Sequence, residues 1–544
     1  MNDSHISLTD PPVVVKKPAG GLRWFLPSTA EVCFVTLLLI MLFSRVSQFY
    51  LLDGDPGWHI RAGQYILETH TIPHHDIFSF SKPNAWWVTY EWGVEVIFAA
   101  LHSHFGLNGV VFFIVLVLSG TYTLLYKFLR QEGFSFLLTF PLLLFVILGS
   151  NFHWVARPHV VSYLFAVLFF YFLDGFARGR IPQKRMWILP LLMVLWVNLH
   201  AGFIAGITLV MIYLVSAVLE YVFISPERRP AFRSKVLHTG MLAAATIAVS
   251  LINPNGYRLY VYLYEYFKTV HHLNLFNELF SPTFQWLIFQ PFLVAVIAPL
   301  PLLLYSRYRP RPEEVLTLLA WIALGLISLR NIPVMLLICA PIYARLLQGL
   351  NEPLREWLSQ APRLQQGLQQ LSRRIGLIVS MERNFNRHLW PAAVLLVLCW
   401  IVIHQGGLGR YHVMNFRFLK ERGFPVDAIP YLKTNRPSGN VFNDSVTGGF
   451  LIYNFYPDIK VFIDGRLDMY GEDFARQFLK LIGTPEVGTG KDNWKKLFEQ
   501  YRIQWVMIHP ESTLRYVLDA DPQWERRYLD EQCVIYVQKT VPPR

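Results

Sequence analysis

A helix of about twenty consecutive apolar residues spans the hydrocarbon core of a bilayer. Runs of that kind recur in this chain from residue 30 to residue 404. On this length rule there are about eleven candidate spans, near 30–50, 107–127, 134–150, 159–176, 186–198, 201–224, 236–252, 285–306, 313–329, 332–348 and 389–404. Lipid offers no partner to a backbone N–H or C=O, so such segments must satisfy their own hydrogen bonds as helices. The expected fold class is therefore an α-helical polytopic membrane protein. Hydrophobic residues make up 53% of the 544 positions, against a soluble norm of roughly 45–50%. The first apolar run is long for a signal-peptide core, so it reads as an uncleaved first helix behind a polar tail, 1–29, that carries Lys16, Lys17 and Arg23.

The net charge of +12 would suit a nucleic-acid binder, but its distribution excludes that reading. Basic residues gather in alternate short loops: Lys127/Arg130, Arg178/Arg180/Lys184/Arg185, Arg228/Arg229/Arg233/Lys235, Arg307/Arg309/Arg311 and the arginine-rich 349–388. Loops biased in this way lie on the cytoplasmic side. The N-terminus then lies inside, and an odd number of spans places 405–544 outside. The other loops hold Asp53–Glu95, Asn151–His159, Asn198–His200, Asn253–Pro282 and Arg330–Asn331. Every motif-like polar group thus falls on the outer face, with the tail. The expected division is a transmembrane region, 30–348, with a large first outer loop, 51–106. An amphipathic connector follows at 349–388 (Leu364, Leu368, Leu371), lying on the anionic inner leaflet, and then a last span, 389–404. The tail 405–544 reads as a small α/β domain, with strands at Val441–Asn443, Lys460–Ile463, Trp505–Ile508 and Val534–Val537 and helices at Trp494–Tyr501 and Ser512–Asp519. The four cysteines, Cys33, Cys339, Cys399 and Cys533, form neither a metal-binding spacing nor a disulfide framework.

Chemistry is concentrated in Asp53-Gly-Asp-Pro-Gly-Trp-His-Ile-Arg61, just beyond the first span. Ionisable groups beside a membrane are costly to place and are usually retained for chemistry or transport. An Asp before a Pro also suits a helix start. Capping alone does not account for His59 and Arg61 within two turns, or for Asp76 and Glu91 later in the same loop. Arg157 and His159 offer a clamp for a phosphate, since guanidinium presents a fixed donor fork; interfacial snorkelling by Arg157 is the alternative. Arg330 sits in a short outer turn where the orientation rule disfavours positive charge, and a residue that breaks a local rule is a functional candidate. His200 reads first as a satisfied core histidine. The long loop from Asn253 contains His271, His272 and Glu278 and has the length of a substrate lid. Gly448-Gly449 admit close approach of a ligand or a neighbouring helix. Asp464 and Arg466, followed by Asp468, stand after a buried strand, where α/β domains place binding groups; an Asp–Arg ion pair is the alternative.

These motifs resemble those of the polytopic C-type glycosyltransferases, the superfamily of the oligosaccharyltransferase catalytic subunit and the protein O-mannosyltransferases. The oligosaccharyltransferase subunit carries an acidic residue, a spacer and a DPWFNYR-type motif in its first outer loop. Asp53 and Asp55-Pro-Gly-Trp-His-Ile-Arg61 match that layout. Its tail carries WWDYGY and then an apolar strand ending in Val-Asp, a layout that Ser445–Phe450 and Val461–Asp464 resemble. The resemblance implies that Asp55, assisted by Asp53, is a general base or ligates a divalent cation (Mg or Mn). The reading of the residues themselves adds Arg330, Arg157, His159, His59, Arg61, Asp464 and Arg466 as expected substrate or phosphate ligands. Ser445, Val446 and Thr447 replace the Trp-Trp-Asp that grips a peptide, so Asn-sequon peptides are not the implied acceptor. The chain is also similar to bacterial membrane proteins sharing WH-x-x-x-G, IP-x-x-D-x-FS, EW, RP, NLH, NP-x-G and FIDGR elements. The implied activity is inverting transfer of a sugar from a polyprenyl phosphate or diphosphate, at the outer face of the cell's inner membrane, to a glycan, lipid or protein. A flippase or transporter of a lipid-linked saccharide is the rival, but it would distribute polar groups mid-span. A scaffold with the tail as a binding module is a third.

Overall fold

A computed structural model describes residues 27–273, 277–360, 389–482 and 493–539, with scattered positions between 361 and 388. The basic N-terminal tail, the imidazoles of His271 and His272, and the connector leucines Leu364, Leu368 and Leu371 lie outside the described residues. Each apolar run of the sequence coincides with a helix or a broken helix pair. Among the described residues, six are long and apolar enough to cross a membrane: Trp92–Gln131, Phe136–His153, Val160–Ala177, Phe203–Phe223, Leu287–Tyr305 and Leu329–Gln348. Five further expected spans fall short of that rule. Thr29–Phe43 and Leu389–Ile403 are apolar but have 15 residues each. Ile188–Val197 has 10 and Pro312–Ile327 has 16. Arg229–Val249 carries Arg229, Arg233 and Lys235 in its opening turns.

Local chemistry sets the helix limits. Ser28 accepts from the Glu31 N–H while the Glu31 carboxylate accepts from the Ser28 N–H, a capping box that starts the first helix. Gly106, at φ +60°, breaks the 40-residue helix Trp92–Gln131, so its first turns diverge from the apolar run beginning at Leu107. Ile332–Gln348 is the central helix, buried at every position but Val334 from Ile332 to Leu346. Outward faces carry exposed apolar side chains such as Leu195, Leu304 and Leu396, as a lipid-facing surface does. At the end of Val160–Ala177 remote from Arg157, Arg345 bonds Asp174 (2.6 Å), Glu314 (2.7 Å) and Glu132 (3.0 Å), and Arg178 bonds Glu314 (2.7 Å). Four helices are clasped there by buried, paired charge.

The tail begins with a small ribbon, β1 (Gly407–Leu408) and β2 (Tyr411–His412). A four-stranded sheet follows: β3 (Asn440–Asn443), β4 (Ile503–Ile508), β5 (Trp524–Leu529) and β6 (Val534–Gln538), in the order β3-β4-β6-β5. β3 and β4 are parallel, with Phe442 beside Val506; the other pairs are antiparallel, with Val506 beside Tyr536. The expected helices are present at Asn493–Gln500 and Thr513–Ala520.

Two features differ from the sequence reading. Lys460–Ile463 is not a strand of this sheet. The Asn443 side chain takes its pairing positions, accepting from the Phe462 N–H (2.8 Å) and donating to the Ile463 carbonyl (2.7 Å). Val461 instead pairs with the first outer loop, its N–H bonding Phe78 O (3.0 Å) and its carbonyl accepting from Phe80 N–H (3.1 Å). Trp524–Leu529 is a strand that the sequence hides, because WERRYL lacks an apolar run and only Trp524 is buried.

The first outer loop and the tail share one core, in which Trp58, Ala62, Phe78 and Trp87 pack with Val441, Leu451 and Ile463. The helix Ser445–Phe455 lies against the helix Asp55–Thr69 through glycines. A β-carbon at Gly57 would stand 2.6 Å from the Gly449 carbonyl oxygen. Gly449 therefore serves a neighbouring helix, one of its two expected roles.

Candidate active site

The helix Asp55–Thr69 starts at Gly54, and Pro56 fits its first turn, where a missing N–H costs nothing. Asp55 makes no capping bond. Its Oδ1 accepts from Trp58 Nε1 (3.1 Å) and its Oδ2 faces Arg157 Nη2 (3.0 Å). Asp53 steadies this turn, accepting the Asp55 N–H (3.0 Å) through one oxygen and Arg157 Nε (3.1 Å) and Nη2 (2.7 Å) through the other. Arg157 Nη1 bonds Glu278 (2.8 Å), which also receives Arg330 Nη2 (3.0 Å) and lies 3.4 Å from His153. Arg330 reaches Tyr266 OH as well (3.0 Å). The second outer loop, the long loop and the Arg330 turn thus converge on the first.

Of these, Asp55, Arg157, Tyr266 and Arg330 line a cavity of about 710 Å³, together with Trp58, His59, Trp87, Glu91, Glu95, His159, His200, Arg466 and Asp468. Burial raises the Asp55 carboxyl to about 6; Arg157 opposes that rise and Asp53 adds to it. Burial, with Asp55 nearby, raises Asp468 to about 7. Burial raises Glu91 to about 8, Arg330 opposing and Asp55 adding. On Glu278 burial acts upward, but Arg157, the His153 hydrogen bond and Arg330 outweigh it and hold that carboxyl well below the usual range. Burial drives His200 down to about 3 and His59 and His159 far below the ordinary imidazole value, so all three are neutral.

Not every expected site residue faces the cavity. Arg61 points away, its guanidinium bonding the Tyr453 carbonyl (2.6 and 3.0 Å) and Gln64 (2.8 Å), and so joins the two packed helices. Asp464 is buried beneath, accepting from Arg466 (2.6 and 2.9 Å) and Tyr470 (3.0 Å). Arg466 also bonds Asp76 (2.7 Å) and lies over the Trp87 ring (4.4 Å), while its Nη1 has no hydrogen-bond partner. His159 Nε2 reaches the His153 carbonyl (3.0 Å) at the cavity wall. Gly465 carries no side chain because a β-carbon there would overlap the Asp55 carboxylate.

Glu278, Glu95 and His200 are the groups that sequence reasoning did not single out as site residues. Glu278 is 121 residues from Arg157, and no local pattern joins them. Glu91 and Glu95 share a helix face, a weak signal by itself. Asp55, proposed from the resemblance as a metal ligand, already has a cationic partner in Arg157. The group spaced to hold a metal ion is His59, Glu91 and Glu95, all buried, with one ligand atom from each within 4.8 Å of the others.

No protein-family model matches this sequence, and no curated protein matches it. Among solved structures, the crystal structure of ArnT from Cupriavidus metallidurans bound to undecaprenyl phosphate aligns with 96% of this chain and 100% of its own. The TM-score is 0.52 and the sequence identity 13%. The chain shares the overall fold of that protein.

Proposed function

We propose that the chain is an inverting glycosyltransferase that takes a sugar from a polyprenyl-phosphate carrier at the outer face of the membrane. The observation that carries this reading is the Asp55 carboxyl, raised by burial and paired with Arg157 in a cavity that Arg330 also lines, on a fold shared with a protein seen bound to undecaprenyl phosphate. Asp55 takes the proton from an acceptor hydroxyl, a role that requires a carboxylate titrating near the working pH. The acceptor oxygen forms its bond to the anomeric carbon from the face opposite the phosphate. The carbon–oxygen bond to the phosphate breaks, its electron pair leaves with the phosphate, and the configuration inverts.

Fixed cations help most where charge develops. Each Arg157 nitrogen is already held by a carboxylate, so Arg157 orients Asp55. The unpartnered Nη1 of Arg466 is the donor for the departing phosphate, and Arg330, held by Glu278 and Tyr266, adds positive charge at the cavity wall. An apolar groove of about 920 Å³ beside the cavity, lined by Trp92, Leu195, Leu199 and Ile252, suits the carrier's hydrocarbon. Transport is less well supported, because the charges gather at one end of the bundle and those at the other end are clasped. The proposal is tested by magnetic-resonance assignment of the anomeric configuration in the transfer product. Inversion relative to the donor is expected; retention overturns the single-displacement mechanism.

A further inference from the structure

Beneath Asp55, one turn along the same helix, His59 lies between two carboxylates. Its Nδ1 is 3.2 Å from Glu95 Oε1 and its Nε2 is 3.7 Å from Glu91 Oε2. A neutral imidazole has one N–H and one lone pair. The Nδ1 contact is within hydrogen-bond distance, whereas Nε2 faces Glu91 from beyond it. Glu95 Oε2 is buried without a hydrogen-bond partner. Among the described residues no lysine or arginine lies within ion-pair distance of Glu91 or Glu95, in contrast to Asp53, Asp55 and Glu278, which all share Arg157. Two buried carboxyl groups, an imidazole and an orphaned oxygen thus converge with no lysine or arginine between them, an arrangement that a bound cation satisfies.

We propose that His59, Glu91 and Glu95 form a binding site for a zinc-class divalent cation. The donor set is mixed nitrogen and oxygen, which suits zinc; magnesium prefers an all-oxygen octahedron and keeps several waters. Tetrahedral donors at zinc distances lie about 3.4 Å apart, so small side-chain rotations close a set already within 4.8 Å. His200 supplies the support expected around such a site. Its Nδ1 accepts from the Gly202 N–H (2.8 Å), which leaves the proton on Nε2, 3.4 Å from Glu91 Oε1, so His200 orients the ligand carboxylate. Trp58 holds the His59 ring from one side at 3.6 Å. The cation joins the Asp55 helix to the start of Trp92–Gln131 and offsets two carboxylates in a cavity that must accept a phosphate.

The test is metal analysis of tag-free, purified full-length protein, independent of any transfer assay. About one zinc per chain is expected, retained in Asp55→Asn and falling by at least about tenfold in Glu95→Gln and His59→Gln. His59→Cys, which supplies another zinc ligand, is expected to restore occupancy and give a thiolate-to-cobalt absorption band after Co²⁺ exchange. Zinc that persists undiminished in the Glu95→Gln/His59→Gln double variant overturns the assignment of ligands. Wild-type protein that melts at its normal temperature yet neither carries nor takes up zinc overturns the site, a proton then filling the gap. Binding of Mg²⁺ in preference to Zn²⁺ overturns the zinc class.

Discussion

Replacing Arg157 by methionine removes the one cation shared by Asp53, Asp55 and Glu278 while keeping much of the side-chain volume. Arg157 and Asp55 are 3.0 Å apart and each side chain is 18% exposed. Unit charges at that kind of separation attract by about 4 kcal/mol at an effective dielectric of 20, which corresponds to about three pKa units. Water entering the site relieves more than half of that. The expected rise in the Asp55 pKa, from about 6, is therefore about 1 to 1.5 units. The same change leaves carboxylates without their partner and costs stability of about 3 kcal/mol, at the low end for a buried pair because the groups are partly exposed. The assay is the pH profile of sugar release from a polyprenyl-phosphate donor in proteoliposomes, beside a thermal melt. The variant is expected to lose activity near neutrality and to recover much of it at alkaline pH. An acid limb at the wild-type position, in a folded variant, refutes the assignment of Arg157 as the group that keeps Asp55 ionised.

In the wild type, activity is expected to rise with pH through about 6 as Asp55 loses its proton, and donor KM to rise above about 7 as Asp468 becomes charged beside the phosphate site; Asp468→Asn is expected to flatten the second change. Gly465→Ala places a methyl group where the Asp55 carboxylate lies and is expected to lower kcat by about a hundredfold, since an ångström of misplacement has that effect; an unchanged kcat contradicts the close contact. Gly57→Leu forces apart the two glycine-packed helices and is expected to lower the melting temperature and expose the 405–544 region to protease, with intact resistance as the contrary result.

The positions of the apolar helices were legible because lipid imposes a length and an apolar character on each run, although only six of the described helices meet the spanning rule. Helix breaks at Gly106 and Pro299 were less so, since one glycine or proline within an apolar run does not announce where the axis turns. In the site, Arg330 was marked by the orientation rule that it breaks, and it meets Glu278 in the cavity. Asp53, Asp55 and Arg157 were singled out separately, and their common bonding to one another was not readable. Arg61 was misleading because a basic residue in a motif can equally serve a backbone carbonyl, here that of Tyr453. The pairing of Lys460–Ile463 with residues 78–80 joins segments nearly 400 positions apart, so a local apolar run could not reveal its partner.

The central claim is that Asp55 performs group transfer from a lipid-linked sugar. It is tested most directly by incubating purified protein with radiolabelled polyprenyl-phosphate and polyprenyl-diphosphate sugars, wild type beside Asp55→Asn at equal folded concentration. Release or transfer of sugar by the wild type is expected, with a loss of about a thousandfold in the variant, as for removal of a positioned base. Equal rates from the two proteins, or no binding of any donor by the wild type, would contradict it.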